Sequence, residues 1–324
     1  MDNCRARRPR FAALGLGIAI AVALVAVAAA TPGASSPGAR RRGIRENAPW
    51  VSFYGTARQM GDLRRVAATF RLINIDADPA AGNFTRADIA TLRAGGRNTV
   101  LSYLNVGACE RYRSYWRTAP PGMIPCAANQ AAQIAAYPRY PKEVWMNPGN
   151  ADFRRLIVDH VAPRLAATGV DGFFLDNLEI VEHGAHDGEA PCDTTCSTGG
   201  LTLVAELRQR FPNLVLVMQN ATSSATRNAR VDGVAFPSLL DGVSREETYA
   251  PKYDRDAESE LLAWKELSLT PNGHPFSITT EDYVGSCSQD ARARRVYAKS
   301  REHGFSPYAT ISSANQDRVC FWSF

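Results

Sequence analysis

Carboxylates recur in this sequence at the ends of short apolar runs, where a buried strand would deliver them to a rim. The plainest case is VDGFFLDN, in which Asp176 follows Phe173, Phe174 and Leu175. Strand alternation puts Gly172, Phe174 and Asp176 on one side. A carboxyl at the edge of apolar surroundings takes its pKa from desolvation and neighbouring charge. Asp171 opens the same run at its other end and reads as structural. LINID repeats the pattern, with Leu72, Asn74 and Asp76 sharing a face. Further runs lead to Asn105 and Glu110, to Gln219 and Asn220, to Glu246 and Glu247, and to Glu281 and Asp282. Solvation or helix capping accounts for any one of these acids. As a set they suit glycoside hydrolysis, which needs one carboxyl to protonate a leaving oxygen and a second to attack or to activate water. Aromatic residues crowd the same segments: Tyr103, Tyr112, Tyr115, Trp116, Tyr140, Trp145, Tyr249, Tyr253 and Tyr283. Such rings stack on the apolar faces of sugars, and rim packing explains each of them individually.

Other chemistries find less support. There is no G-x-S-x-G elbow and no H-E-x-x-H pair. The five histidines, His160, His183, His186, His274 and His303, are scattered and offer no ligand set for a metal-dependent polysaccharide deacetylase. The net charge of +5 on 324 residues is a leader effect. Removing the seven arginines and one aspartate of residues 1–42 leaves 30 bases against 31 acids, so the body has no basic surface for nucleic acid. Neither a metal nor a cofactor is called for.

Eight apolar runs, at 50–55, 70–76, 98–106, 170–176, 213–220, 241–246, 275–281 and 305–312, could position these residues. Between them lie amphipathic stretches at 84–94, 151–167, 199–211, 256–268 and 288–303. In 151–167 the residues Phe153, Leu156, Ile157, His160, Val161 and Leu165 form one helical stripe, and Gly169 follows as a stop signal. Strands alternating with helices imply parallel βαβ units, and eight of them close into a (β/α)8 TIM barrel. An open doubly wound sheet is the other arrangement, but no Gly-rich phosphate fingerprint follows the first strand. In a barrel the strand C-termini carry the active site, which is where these acids collect. The division expected is a leader at 1–30, a flexible linker at 31–48 and one barrel domain at 49–324.

The leader has a basic head (MDNCRARRPR), an apolar run from Phe11 to Ala30 and small residues at its end, the signature of export. Two fates follow: cleavage near Ala28–Ala30, or retention as a single-span membrane anchor, since about 20 apolar residues cross a bilayer. Either way the barrel is extracellular. Cysteine usage agrees, because the six cysteines after Cys4 suit disulfides in an oxidising compartment. Six cysteines allow 15 pairings, among which sequence alone does not choose; pairing neighbours gives Cys109–Cys126, Cys192–Cys196 and Cys287–Cys320. With His183 and His186 nearby, CDTTC (192–196) also resembles a zinc site, but export favours a loop staple. N-x-T sites occur at Asn83 and Asn220.

The segments SYLNVGACERYRSYW (102–116), WMNPGNADFRRLIVDHVAPRLAATGVDGFFLDNLE (145–179) and DGVSREETY (241–249) resemble glycoside hydrolase family 114, exported barrels similar to endo-α-1,4-polygalactosaminidases. The resemblance implies cleavage of α-1,4 bonds in a galactosamine-rich polysaccharide. It places the catalytic pair at the Asp ending GxDGxxxD and the Glu ending DGVxxE, here Asp176 and Glu246. We assign Glu246 as general acid and Asp176 as its partner. Asp76, Tyr103, Asn105, Glu110, Asn220, Tyr249 and Asp282 are expected to bind substrate, and an acidic mouth would attract a deacetylated, cationic polymer. Two departures stand out. The family's G-E-A-E motif reads Gly107-Ala108-Cys109-Glu110 here, and two segments, VDGVAFPSLL (231–240) and DGVSREE (241–247), compete for strand six. The alternative to an enzyme is a carbohydrate-binding barrel without turnover.

Overall fold

All eight apolar runs become strands of one sheet, in chain order: β1 Trp50–Phe53, β2 Leu72–Ile75, β3 Thr99–Asn105, β4 Gly172–Asp176, β5 Val215–Gln219, β6 Gly242–Glu246, β7 Ser277–Tyr283 and β8 Ser306–Thr310. The structure is a computed structural model that describes residues 44–267, 276–311 and 316–324. The leader and most of the linker lie outside these residues, as do His274 and positions 268, 275 and 312 of the expected elements. Parallel ladders join each strand to the next. β8 returns beside β1, where Tyr308 meets Trp50 edge-on with ring centres 6.0 Å apart.

Strand alternation sorts the side chains. Trp50, Phe174 and Tyr308 fill the barrel's lower interior, with Trp50 stacked on Phe174 at 6.2 Å. Phe173 faces outward against Phe211, at the end of helix Thr194–Arg210. The interior is tight at β4: a Cβ on Gly172 would lie 2.1 Å from the Val215 carbonyl oxygen on β5, so only glycine fits.

Helices Arg86–Arg93 and Asp290–Glu302 fall within the expected stretches, and Arg255–Lys265 matches 256–268 but starts one residue earlier. Helix Thr194–Arg210 begins earlier than the hydrophobic pattern suggests, because the Asp193 side chain caps it by accepting from Cys196 N at 2.9 Å. The 151–167 stretch is helical from Ala151 to Ala166, but its middle, Ile157–Val161, is a π turn. Pro163 has no N–H to give to the preceding turn, and the wider turn accommodates it. Gly169, at φ 97°, then ends the helical region. Helices Ala57–Met60 and Leu63–Thr69 carry no long hydrophobic stripe and are found only in the structure.

Two further features bear on the site. Between β3 and residue 150 the chain forms a small antiparallel sheet of Ala108–Glu110, Glu143–Met146 and Gln133–Ala136, in which Glu110 sits directly opposite Glu143. Residues 231–240, the competitor for strand six, form part of a short hairpin and a 3-10 turn, which leaves Glu246 as the last residue of β6. The three disulfides join the expected neighbours, Cys109–Cys126, Cys192–Cys196 and Cys287–Cys320. The zinc reading of CDTTC therefore falls, since both sulfurs are spent on each other. Among the described residues no helix is long and apolar enough to cross a membrane.

Candidate active site

The residues directly after β4, β5 and β6 all adopt left-handed backbone: Asn177 (φ 61°), Asn220 (φ 65°) and Glu247 (φ 55°). Asparagine tolerates that conformation, whereas at Glu247 it costs on the order of 1–3 kcal/mol. Each turn reverses the chain at once and leaves the strand's last side chain facing the barrel mouth. Close approach fixes one of these turns further: a Cβ on Gly107 would lie 1.8 Å from the Asn177 carbonyl oxygen.

The mouth opens into a cavity of about 1380 Å³ lined by both Asp176 and Glu246. That exceeds the roughly 300–1,000 Å³ of a pocket for one small molecule. Burial, and then the negative charge of Glu246, push the Asp176 carboxyl up to about 7; bonds from the Tyr103 side chain and from the Asn177 backbone oppose the rise. Asn105 Nδ2 donates to the Tyr103 hydroxyl at 3.1 Å, so Asn105 stands behind Tyr103. Glu246 is held at both oxygens. Asn220 Nδ2 donates to Oε2 at 2.7 Å, and the Tyr283 hydroxyl donates to Oε1. Behind Tyr283, Gln316 Nε2 donates to its hydroxyl at 3.0 Å, and Ser52 Oγ donates to Gln316 Oε1 at 3.0 Å.

Of the residues expected at the site, Asp176, Glu246, Asp76, Tyr103 and Asn220 line this cavity. Asp76 does so with its charge already engaged, since Arg113 Nη1 lies 2.9 Å from both carboxylate oxygens. Its pKa is raised by burial, against the lowering pull of Arg113.

The other four do not line it. Asn105 is buried, and its Oδ1 accepts from the backbone of Gly107 and Ala108 at 3.3 and 2.7 Å. Glu110 is fully buried, bonded to Arg113 Nη2 at 3.3 Å and to the Tyr115 hydroxyl at 3.0 Å. Asp282 is fully buried and accepts from Tyr249 N at 2.5 Å and Ala250 N at 2.8 Å. It faces away because β7 continues to Tyr283, and alternation turns Glu281 and Tyr283 inward and Asp282 outward. Tyr249 lies behind the rim, stacked on Tyr253 with ring centres 6.1 Å apart, and Tyr253 takes the lining position.

Sequence reasoning missed Glu143, Glu179 and Tyr54 as lining residues, and named Tyr283 only among the aromatics of these segments. Tyr54 and Tyr283 were legible from alternation at the ends of β1 and β7. Glu179 sits in the turn after β4, inside a segment already singled out, whereas Glu143 arrives from the small antiparallel sheet and carries no local signal. Burial, with the charges of Glu110 and Asp176, pushes Glu143 up to about 8. Glu179 is raised well above the usual range by burial and by Asp176. Among the described residues no group of His, Cys, Asp and Glu is arranged to hold a metal ion.

Comparison with known structures finds the same fold elsewhere. The glycoside hydrolase domain of PelA from Pseudomonas aeruginosa superposes with a TM-score of 0.62 at 17% identity, covering 83% of this chain and 96% of that one. Aspergillus fumigatus Ega3, solved in complex with galactosamine, gives 0.59 at 14% identity, covering 86% and 97%. Among sequences, an uncharacterized protein of Deinococcus radiodurans is 25% identical over 250 residues, 74% of this chain and 72% of its own length. One from Thermotoga maritima is 23% identical over 228 residues, 68% and 67%. The profile of glycoside-hydrolase family GH114 matches residues 45–321, nearly the whole of the described barrel, and the chain belongs to that family of glycosidases.

Proposed function

We propose that the protein is an exported glycosidase that cleaves α-1,4-galactosaminidic bonds in a galactosamine-rich polysaccharide, with Asp176 and Glu246 as its catalytic carboxyls. The observation that carries this is their shared cavity and mutual repulsion, with Glu246 the largest charge acting on Asp176. The raised Asp176 carboxyl binds a proton near neutral pH, so the site does not carry its full negative charge there. That is the state this reaction requires, one acid to protonate the leaving oxygen and one carboxylate to attack the anomeric carbon or activate water.

Glu246 suits the general acid. Its Oε1 partner, the Tyr283 hydroxyl, can donate or accept, so the contact survives when Glu246 gains or loses its proton. Asp176 then serves as nucleophile or base, oriented by Tyr103 and the Asn177 N–H. The cavity's volume leaves room for more than one sugar unit, and Tyr112 and Tyr253, both exposed and lining it, offer ring faces for them. Three disulfides support an extracellular address. Ega3, bound to galactosamine in its structure, supports the choice of sugar.

Incubation with partly deacetylated galactosaminogalactan tests the reading, with products followed by mass and by anomeric configuration. New reducing ends that vanish in Asp176→Asn and Glu246→Gln are expected. Tight polymer binding with no new ends would instead favour the barrel without turnover.

A further inference from the structure

Residues 316–324 form no helix or strand, yet the first of them reaches the barrel mouth. Gln316 is 3% exposed and lines the cavity with Glu246 and Tyr283. The segment is pinned to the end of β1 and along β8. Tyr54 N donates to the Gln316 carbonyl at 2.7 Å, Cys320 N to the Tyr308 hydroxyl at 3.1 Å, and Trp322 Nε1 to the Ala309 carbonyl at 2.9 Å. A disulfide ties Cys320 to Cys287.

We propose that this C-terminal segment completes the active site: Gln316 is a positioning residue that holds Glu246 through Tyr283, and the Cys287–Cys320 disulfide keeps Gln316 in place. The proposal rests on the reading of Glu246 as a catalytic carboxyl and adds what orients it.

The direction of the hydrogen bonds is the first argument. Asn74 Nδ2 donates to Ser52 Oγ at 3.1 Å, and Ser52 Oγ gives its own proton to Gln316 Oε1 at 3.0 Å. The amide oxygen is thereby turned to Ser52 and the amide nitrogen to Tyr283, whose hydroxyl accepts from Nε2 at 3.0 Å. With an N–H arriving at its oxygen, that hydroxyl points its one proton at Glu246 Oε1. Each donor faces the next acceptor, and the chain ends on Glu246. Without Gln316 the Tyr283 proton has no fixed direction, and the hold on Glu246 is left to Asn220, 2.7 Å from Oε2.

The tether is the second. A chain end is well ordered only where something ties it down. Cys287 stands four residues beyond Tyr283, and Cys320 four beyond Gln316, so the disulfide joins the two segments whose side chains must meet. Cys320 is fully buried, and Phe321 beside it packs on Phe70 with ring centres 5.8 Å apart.

Kinetics of the full chain on partly deacetylated galactosaminogalactan test the proposal. Gln316→Met, which keeps the length and removes both polar ends, should lower kcat about three- to tenfold with KM nearly unchanged. A filling role would be met by Met, so a wild-type kcat in this variant overturns the inference. Cys287→Ser combined with Cys320→Ser should give a similar loss, and adding Gln316→Met should deepen it little. Losses that multiply overturn the disulfide's part. The Tyr283 hydroxyl proton, assigned by NMR from its absence in Tyr283→Phe, reads the chain without turnover. Its exchange with water should quicken about tenfold or more in Gln316→Met, and unchanged exchange also overturns the inference. Hydrolysis that is indifferent to Gln316 refutes the positioning role and leaves the glycosidase standing. Hydroxyl exchange that depends on Gln316, in a protein without hydrolysis, does the reverse.

Discussion

Asn220 and Glu246 hold each other through two reciprocal hydrogen bonds: Asn220 Nδ2 donates to Glu246 Oε2 at 2.7 Å, and Glu246 N donates to Asn220 Oδ1 at 3.1 Å. The left-handed backbone at Asn220 makes the geometry possible by turning its side chain across the end of β6. A bond to a charged group is worth roughly 1.5–3 kcal/mol. Asn220→Ala should therefore lower kcat by about 10- to 100-fold with little change in KM, whereas an unaltered kcat would show that Glu246 needs no such support.

The roles of the two carboxyls separate by leaving group. With an aryl glycoside whose leaving group needs no proton, Glu246→Gln should retain most of its kcat for bond cleavage. Asp176→Asn should lose about a thousandfold or more on every substrate, the scale on which removing a central catalytic group is felt. Equal losses for both variants on the activated substrate would reject the assignment.

Activity should fall as pH rises above neutrality. Burial and Glu246 push Asp176 up to about 7. As pH rises through that value the proton held at Asp176 is lost and the site no longer retains it for catalysis. The profile of kcat/KM against pH should bend downward near 7, and a flat profile to pH 9 would contradict the retained proton.

Stability should follow the same direction. Asp176 and Glu143 have folded pKa values raised to about 7 and about 8, above ordinary unfolded values near 4. The folded state thus binds more protons than the unfolded one in this window, and stability present near pH 4 is lost as pH rises toward 8. Glu143→Gln removes one such group. At pH 8.5 it should unfold later than the wild type by on the order of 1–3 kcal/mol, with the gain fading toward pH 4. Urea midpoints at the two pH values measure it.

Gly172→Ala probes the barrel rather than the chemistry. Its Cβ would meet backbone, the Val215 carbonyl at 2.1 Å, which cannot rotate aside. Overpacking of this kind costs about 1–3 kcal/mol or more, so the thermal midpoint should drop by several degrees. An unchanged midpoint would mean that β4 and β5 can separate at no cost.

By itself the sequence determined the barrel and Asp176, because the information is local. A run such as GFFLD states its length, its burial and which residue comes last without reference to any other strand, whereas GVSRE had a competitor in residues 231–240 that only the fold removed. The cysteine pairing, by contrast, was one of fifteen that the sequence left open, and the structure chose neighbours. What only the tertiary structure decided is which of the remaining acids meet the cavity. Asp282 was lost to a strand that runs to Tyr283, beyond its expected end at residue 281, enough for alternation to turn the side chain away. Glu110 looked like rim and is sealed under Arg113. Glu143 carries no strand-end signature and reaches Asn177 only through the antiparallel pairing of 108–110 with 143–146. Electrostatic neighbourhood depends on distances between segments remote in sequence, and those are set by packing rather than by any local pattern.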